Sequence, residues 1–155
     1  DQRLADVPGE DLRRSRAASE NIIPAETNVG ALLEELFPAL AGKTSSLALK
    51  VPVPNGAMVD LTFYSERNVD AAAINAVVQT GLQARYGTTM EYTSDPIVSS
   101  DVKLSAYSGT FDALATMTLG QGAAKVVAWY DTSWGYAHRM VDLVHHLHGA
   151  GEVAA

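Results

Sequence analysis

Apolar residues return every three to four positions in three stretches of the chain, as they do on one face of a helix. The stretches are Leu32–Phe37, Val69–Tyr86 and Trp134–His148, the last stopped by the glycine that follows it. Thr27 or Asn28 is a natural N-cap for the first helix, because each offers a side-chain oxygen to the first free amides. The pattern therefore predicts three helices.

Elsewhere apolar and polar residues alternate, which is typical of strands half buried in a sheet. Two such strands flank the turn Pro54-Asn55-Gly56, and we expect them to be neighbours. Four short strands follow, at residues 89–93, 107–114, 115–119 and 124–130. Because strands and helices mix without strict βαβ alternation, the sequence predicts an α+β fold, a large mixed, mostly antiparallel sheet with helices on one face.

The first 28 residues are polar and irregular, and we expect a long ordered loop that ends in a short extended piece. They carry a compact basic cluster, Arg13, Arg14 and Arg16. The cluster precedes the first predicted helix, whose free amides and macrodipole favour negative charge. Charge alone supports two interpretations of the cluster equally, phosphate binding and simple surface or intersubunit ion pairing.

Composition and charge narrow the classes of partner. The 155 residues match one ordinary domain, and 47% hydrophobic against 19% charged residues is a globular balance. A net charge of −7 argues against nucleic acid, whose binding depends on many Lys and Arg contacts. No apolar stretch approaches the roughly 20 residues that cross a bilayer, so we expect no membrane partner. Cytoplasm is the default location, because a chain without cysteine gives no indication of its redox compartment.

Other features favour structural over functional interpretations. Gly120-Gln121-Gly122 has two glycines of a dinucleotide fingerprint but precedes a strand, so we predict a hairpin turn. His145, His146 and His148 are interpreted as exposed residues near a helix C-terminus, and we predict no metal site. Three carboxylates beside strands are interpreted as turn caps or partners of basic groups, namely Asp60, Asp112 and Asp131. Four aromatic residues are interpreted as core packing, namely Trp129, Tyr130, Trp134 and Tyr136.

Seven segments, taken in order, carry a recognisable pattern. They are Asp11–Ala18, Asn21–Pro24, Val51–Asn55, Val98–Asp101, Ser108–Asp112, Trp129–Tyr136 and Arg139–Leu143. Together they resemble the glyceraldehyde-3-phosphate dehydrogenase family, including its erythrose-4-phosphate dehydrogenase branch. The resemblance implies a single C-terminal catalytic-type domain over residues 1–155, with an S-loop-like segment at 1–26 and the sheet and helices at 27–155. It also implies that the Rossmann NAD-binding domain lies outside this sequence, so that Asp1 looks like a cut inside a longer protein.

The resemblance also implies a chemistry. In the family a cysteine thiolate attacks the aldehyde of glyceraldehyde 3-phosphate, a histidine takes the proton, hydride passes to NAD, and phosphate attacks the thioester. Arg14 matches an arginine that binds phosphate, and Thr27 matches the threonine at the helix N-terminus that binds inorganic phosphate. Asn28 replaces a glycine beside that threonine, and Lys50 replaces the arginine that contacts both phosphates. On the cofactor side, Thr132 replaces the asparagine that holds the nicotinamide carboxamide, and Tyr136 matches the tyrosine near the nicotinamide.

Two hypotheses for function follow. The first is a domain of an NAD-dependent phosphorylating aldehyde dehydrogenase, inactive by itself because this chain lacks the catalytic Cys and His. The second is a non-catalytic paralogue or engineered domain that serves assembly or scaffolding, motivated by the missing nucleophile and the three substituted contacts. The resemblance further implies a homo-oligomer, which is a tetramer in the family.

Overall fold

The chain forms two compact units, Asp1–Pro54 and Asn55–Ala155, called below the N-terminal unit and the C-terminal unit. The computed structural model describes residues 3–120 and 122–153, with side chains as far as Gly149. Each unit has a sheet of its own. Pro52 and Pro54 lie at the division, where a residue without an N–H group cannot extend a ladder of strand hydrogen bonds.

The N-terminal unit has little regular structure after its long loop. Its elements are β1 (Ile23–Ala25), α1 (Val29–Leu36), a 3₁₀ turn (Pro38–Leu40) and β2 (Ala48–Lys50). β1 and β2 pair antiparallel, which places Lys50 opposite Ile23. The predicted loop and its extended end at β1 are confirmed. Ala17 in the loop and Ile23 in β1 are the buried apolar residues among the described part of this unit.

The C-terminal unit is built on a four-stranded sheet. Its elements are β3 (Ala57–Tyr64), α2 (Ala71–Gly81), a π-helical turn (Leu82–Tyr86), β4 (Met90–Thr93), β5 (Gly109–Leu119), β6 (Ala123–Tyr130) and α3 (Trp134–Val153). The strands lie in the order β3-β6-β5-β4, and only β4 and β5 run parallel. The α+β class with a mixed, mostly antiparallel sheet is confirmed, although the strands divide between two sheets.

The predicted pairing of the strands on either side of Pro54-Asn55-Gly56 is wrong. β2 pairs with β1, and β3 pairs along its whole length with β6. The Val53 amide donates to the Val51 carbonyl at 2.7 Å, so this donor is used within the segment and is withheld from a ladder. Gly56 has φ of 86° and approaches the Ser99 carbonyl so closely that a Cβ would collide with it. The turn therefore packs closely against the backbone at Ser99 and does not form a hairpin.

β5 merges two predicted strands into one, with an irregularity where they were expected to separate. Its pairing with β6 shifts between Asp112 and Met117. Asn75 of α2 donates to the Ala113 carbonyl at 3.0 Å, and the Thr116 hydroxyl donates to Asn75 Oδ1 at 2.7 Å. The bulge thus binds the helix through one backbone carbonyl and one hydroxyl, while the amides of Leu114 and Ala115 donate to Asp112 Oδ1, because buried polar groups need partners.

α2 begins at a side-chain cap, whereas α3 ends later than the sequence pattern predicts. Asp70 caps α2 and accepts a hydrogen bond from the Ala73 amide at 2.7 Å. α3 continues to Val153, beyond the predicted stop at Gly149 and past Gly151, although each glycine costs a helix about 1 kcal/mol. None of the helices within the described residues has the length and apolar character needed to span a membrane.

Candidate anion-binding site

A cavity of about 750 Å³ lies within the N-terminal unit. Arg14, Thr27 and Lys50, three of the residues singled out from the sequence, all line it. The other lining residues are Asp11, Arg13, Pro24, Ala25, Glu26, Ser46 and Leu47. The fold therefore brings the basic loop, the segment after β1 and the end of β2 together around one space.

The loop presents Arg14 through a turn organised by Asp11. Asp11 Oδ1 accepts hydrogen bonds from the amides of Arg13 and Arg14, at 3.0 and 3.1 Å. The Asp11 carbonyl accepts from the Ser15 amide at 3.0 Å and from the Ser15 hydroxyl at 2.7 Å. Ser15 is buried, whereas both arginine side chains are exposed. An aspartate that binds amides two and three residues ahead fixes a turn without help from a packed core.

Arg16 has a different environment from its two neighbours in the basic cluster. Its Nε lies 3.0 Å from Asp6 Oδ2, and Asp6 Oδ1 accepts from the Ala17 amide at 2.7 Å. Among the described residues Arg16 is not part of the cavity lining. The cluster is thus divided, with Arg13 and Arg14 at the cavity and Arg16 in an ion pair within the loop.

Two hydroxyl groups lie between the cavity and the N-terminus of α1. The Val29 amide donates to Thr27 Oγ1 at 3.4 Å, and the Gly30 amide donates to Ser46 Oγ at 3.0 Å. Thr27 and Ser46 both line the cavity, and each hydroxyl that accepts from an amide can still donate its own proton. Both hydroxyls can therefore donate to an anion in the cavity while they accept from amides at the N-terminus of α1.

Asn28 has the position of the N-cap but not its usual contact. It precedes α1 directly, and within the described structure its side chain caps no amide and does not line the cavity. The structure thus does not bring Asn28 together with Arg14, Thr27 and Lys50. Asn28 contributes to the first turn of α1 through its backbone carbonyl, which accepts from the Leu32 amide at 3.0 Å.

The cavity has a mixed electrostatic character. Its lining combines the cations Arg13, Arg14 and Lys50 with the carboxylates Asp11 and Glu26. Positive charge therefore exceeds negative charge by one, although the chain as a whole carries −7. The three cations attract an anion to the cavity, while the two carboxylates weaken that attraction.

The segment that carries Ser46 is tied to α1 by Glu34. The Thr44 hydroxyl donates to Glu34 Oε1 at 2.6 Å. This hydrogen bond, followed by one from the Gly42 amide, lowers the pKa of Glu34 below its ordinary value. At neutral pH the ionised Glu34 therefore helps to hold the segment against α1.

Sequence reasoning missed Asp11, Glu26 and Ser46 as cavity residues. Ser46 lies 16 residues from its partner Gly30, and no local pattern connects the two. A Cβ on Gly30 would come within 3.1 Å of Ser46 Oγ, so the glycine fits this close approach. The Asp11-Leu12-Arg13-Arg14 spacing is an available signal, because an aspartate followed by two residues with free amides is typical of a side-chain-capped turn.

Thr132, singled out for a cofactor contact, belongs to the C-terminal unit and is hydrogen-bonded there. Its hydroxyl donates to Asn55 Oδ1 at 3.3 Å, and Asn55 Nδ2 donates to Asp131 Oδ2 at 3.0 Å. Asp131 is buried and also accepts from the amides of Trp134 and Ser133, at 2.7 and 2.9 Å. These amides, the Trp134 amide first, hold the pKa of Asp131 well below its usual range.

Asp131 also fixes a strained residue. Leu104 has φ of 61°, in the left-handed region that a branched side chain rarely adopts, and its amide donates to Asp131 Oδ2 at 3.0 Å. Such a conformation costs on the order of 1 kcal/mol and persists only where neighbours enforce it. Asp131 thus confirms the sequence interpretation of a turn cap and extends it, because it joins three separate loop segments.

The aromatic residues beside this turn do not form the predicted core. Tyr136 is 70% exposed and Trp134 is 44% exposed, with its ring edge-on to His138 at 5.8 Å. Trp129 is half-buried, and its indole donates to Asp112 Oδ2 at 3.0 Å. Core packing is therefore wrong for Trp134 and Tyr136, because both lie in the first turn of α3, where the helix meets solvent. His145 is exposed farther along α3, as are His146 and His148.

Comparison with known proteins identifies the family. Residues 1–132 match the family model described as "Glyceraldehyde 3-phosphate dehydrogenase, C-terminal domain". The chain belongs to the glyceraldehyde-3-phosphate dehydrogenase family. It is 40% identical over 151 residues to "Glyceraldehyde-3-phosphate dehydrogenase" of Geobacillus stearothermophilus, covering 97% of this chain and 45% of that protein.

Other glyceraldehyde-3-phosphate dehydrogenases show the same relation. The Borreliella burgdorferi protein is 42% identical over 149 residues, covering 95% of this chain and 44% of its own length. The Mycobacterium leprae protein is 42% identical over 144 residues, covering 93% and 42%. The chain thus spans less than half the length of the curated relatives it matches, in the region of their C-terminal domain.

Proposed function

We propose that this chain is the sugar-phosphate- and inorganic-phosphate-binding part of an NAD-dependent phosphorylating dehydrogenase that oxidises glyceraldehyde 3-phosphate. The observation that carries the proposal is that Arg14, Thr27 and Lys50 line one cavity. They offer a guanidinium fork, a hydroxyl proton and an ammonium group, all of which donate to phosphate oxygens. Family membership supplies the substrate class.

The three donors contribute in different ways. Arg14 is suited to bind two phosphate oxygens at once, because its guanidinium is planar and forked. Lys50 supplies a point charge on a flexible stem, so it attracts the phosphate with less geometric selectivity than the arginine it replaces in the family. Thr27 completes the set with a short hydroxyl donor whose position is fixed by the Val29 amide.

NAD is the cofactor implied by the family, and the two matched positions differ in how well they fit it. The Thr132 hydroxyl already donates to Asn55, and its side chain is too short to repeat a carboxamide contact. Thr132 therefore does not fit the role of the asparagine it replaces. Tyr136 fits better, because the residue is 70% exposed and a tyrosine ring can stack on a flat aromatic group.

The same proposal includes inactivity of the 155 residues by themselves. They contain no cysteine, so they supply no thiolate for attack on the aldehyde. Formation of NADH from glyceraldehyde 3-phosphate, NAD and phosphate by the purified chain contradicts this part. The substitutions at Asn28, Lys50 and Thr132 favour the second candidate, a non-catalytic domain kept for assembly, which gains support if the cavity binds no phosphate.

Self-association is proposed as well, as a homo-oligomer that is a tetramer in the family. Apolar side chains on the four-stranded sheet are exposed to solvent, including Met58, Val59, Leu61 and Met117 at 45–58%. Val59 and Leu61 alternate along β3 and therefore share one face of the sheet, and exposed apolar surface of this kind marks protein interfaces. Sedimentation of the chain as a clean monomer at micromolar concentration contradicts this proposal.

The phosphate site is tested by titrating inorganic phosphate into the ¹⁵N-labelled chain and following amide shifts by NMR. We expect shifts at Arg14, Thr27 and Lys50, and about a tenfold weaker affinity in Arg14→Ala, because a charge-assisted contact is lost. Arg16→Ala is the matched control, since it removes the same charge from the same loop outside the cavity. Its effect is expected to stay below about twofold. The proposal fails if these three amides do not shift, or if both variants weaken binding equally.

A further inference from the structure

Asp11 is a carboxylate that lines a cavity proposed to bind an anion. By charge alone it opposes phosphate, since like charges repel at short range. Its hydrogen bonds give it another part in the site. Oδ1 accepts from the amides of Arg13 and Arg14, and its carbonyl accepts twice from Ser15.

Resting on the proposed function, we infer that Asp11 is a positioning residue that holds Arg14 in register with Thr27 and Lys50. Arg14 is exposed, so its backbone is placed by the turn rather than by packing of its side chain. The Asp11 carboxylate fixes the amide of Arg14 directly, at 3.1 Å. Without that acceptor the turn has no bond to the Arg14 amide, and the guanidinium samples a wider volume at greater entropic cost on binding.

The other side of the turn is anchored by Ser15. Its side chain is only 8% exposed, and its hydroxyl binds the Asp11 carbonyl at 2.7 Å. Its own carbonyl accepts from the Val7 amide at 2.9 Å, which ties the turn to an earlier part of the loop. A Cβ on Gly9 would lie 2.7 Å from Ser15 Oγ, so the loop closes tightly over this hydroxyl. The turn thus has one fixed end at Ser15 and one acceptor, Asp11, aimed at the arginine amides.

Two substitutions at Asp11 separate position from charge. Asp11→Asn keeps the Oδ1 acceptor and removes the negative charge, and asparagine is well suited to this kind of turn. Asp11→Ala removes both. If Asp11 acts only as a repelling charge, both variants bind phosphate more tightly. If it positions Arg14, the alanine variant binds more weakly and the asparagine variant does not.

The experiment is a phosphate titration by NMR of the unsubstituted chain, Asp11→Ala and Asp11→Asn. We expect about fivefold weaker affinity in Asp11→Ala, from the lost turn bonds, and equal or about twofold tighter affinity in Asp11→Asn, from the lost repulsion. Hydrogen exchange at the Arg13 and Arg14 amides should accelerate in Asp11→Ala only, with the remaining spectrum unchanged.

The other outcomes separate the two proposals. Tighter binding by both variants, or equal weakening of both, overturns the positioning role while leaving phosphate binding in place. No shift in the unsubstituted chain overturns the phosphate site itself and the positioning role with it. Should Asp11→Ala lose its folded spectrum, Ser15→Ala takes its place: it loosens the same turn from outside the cavity, and unchanged phosphate affinity in that variant overturns the inference.

Discussion

The N-terminal and C-terminal units are stabilised in different ways. The N-terminal unit buries only Ala17 and Ile23 among its described apolar side chains, and its loop is held by the carboxylates of Asp6 and Asp11. The C-terminal unit buries apolar residues on its four-stranded sheet, on α2 and in the loop between β4 and β5, namely Ile74, Val102, Phe111, Ala124 and Val127. The cavity lies in the unit with the smaller core.

The loop of the N-terminal unit and the sheet of the C-terminal unit therefore have different roles. Backbone hydrogen bonds to short side chains place Arg14 and Thr27 without covering them, so both remain accessible to a ligand. The four-stranded sheet, by contrast, supplies stability through the buried residues of β5 and β6. Binding residues are found disproportionately on loops for this reason.

The largest effect is expected from truncation of the core of the C-terminal unit. Phe111 is 6% exposed and stacks on Tyr92 with ring centroids 5.7 Å apart, so Phe111→Ala should lower the free energy of unfolding by about 3–5 kcal/mol. Both tryptophans lie in this unit, so their fluorescence during urea unfolding reports on it alone. Leu119→Ala, on the same strand but 79% exposed, is the control and should cost less than about 0.5 kcal/mol. Similar midpoints for the two variants contradict a core at Phe111.

The second effect is a dependence of stability on pH that comes from Asp131. Its folded pKa is depressed, whereas an unfolded aspartate titrates near about 3.9, so the unfolded state binds more protons and stability rises with pH. The contribution is complete well above pH 4 and is lost as the pH falls toward the folded pKa. Asp131→Asn should lower the urea midpoint at pH 7, because one amide oxygen cannot replace a carboxylate that accepts from five donors.

The measurement compares the tryptophan-detected urea midpoint at pH 7 and pH 3. The unsubstituted chain should lose more stability over this interval than Asp131→Asn does. Asp60→Asn is the matched control, because Asp60 is exposed and pairs only with Lys125 among the described contacts. The urea midpoint of Asp60→Asn should change with pH by the same amount as that of the unsubstituted chain. Parallel pH profiles for the chain and Asp131→Asn contradict the role given to this carboxylate.

The sequence predicted the elements better than their partners, and the reason is physical. Periodicity depends on neighbours within a few residues, so α2 and the strand β6 were found close to their observed bounds. Pairing of β3 with β6 joins segments that are distant in the chain, and nothing local in the Pro54-Asn55-Gly56 turn distinguishes it from a hairpin. Local patterns also cannot predict that the bulge in β5 serves Asn75.

The site shows the same limit. Arg14, Thr27 and Lys50 were singled out by resemblance and are found around one cavity, yet the same resemblance included Asn28, which does not line it. A match of residue types predicts which side chains could bind a ligand. It does not predict the other residues that line the cavity, such as Glu26 and Ser46, because these depend on how this chain folds. Tyr136 was interpreted as core because aromatic residues are usually buried, but its burial depends on what α3 packs against.

The smallest effects are expected at the exposed ion pairs, which have matched examples in both units. Arg16 and Asp6 are each 59% exposed, and Lys125 and Asp60 are each 40% exposed. Exposed pairs contribute little, so Arg16→Ala and Lys125→Ala should each cost about 0.5 kcal/mol. Removal of an exposed ion pair should therefore lower the free energy of unfolding by a similar amount in both units.

Asp6→Ala should separate from this pattern, because Asp6 also accepts from the amide of the buried Ala17 at 2.7 Å. Leaving that amide without its acceptor adds about 1–2 kcal/mol to the loss of the pair. Hydrogen exchange at the Ser15 amide reports on the loop, since its bond to the Asp11 carbonyl is outside the substitution. We expect acceleration of about tenfold in Asp6→Ala and about twofold in Arg16→Ala. Equal acceleration in both would mean that the ion pair, rather than the carboxylate's bond to the backbone, holds the loop that carries Arg14.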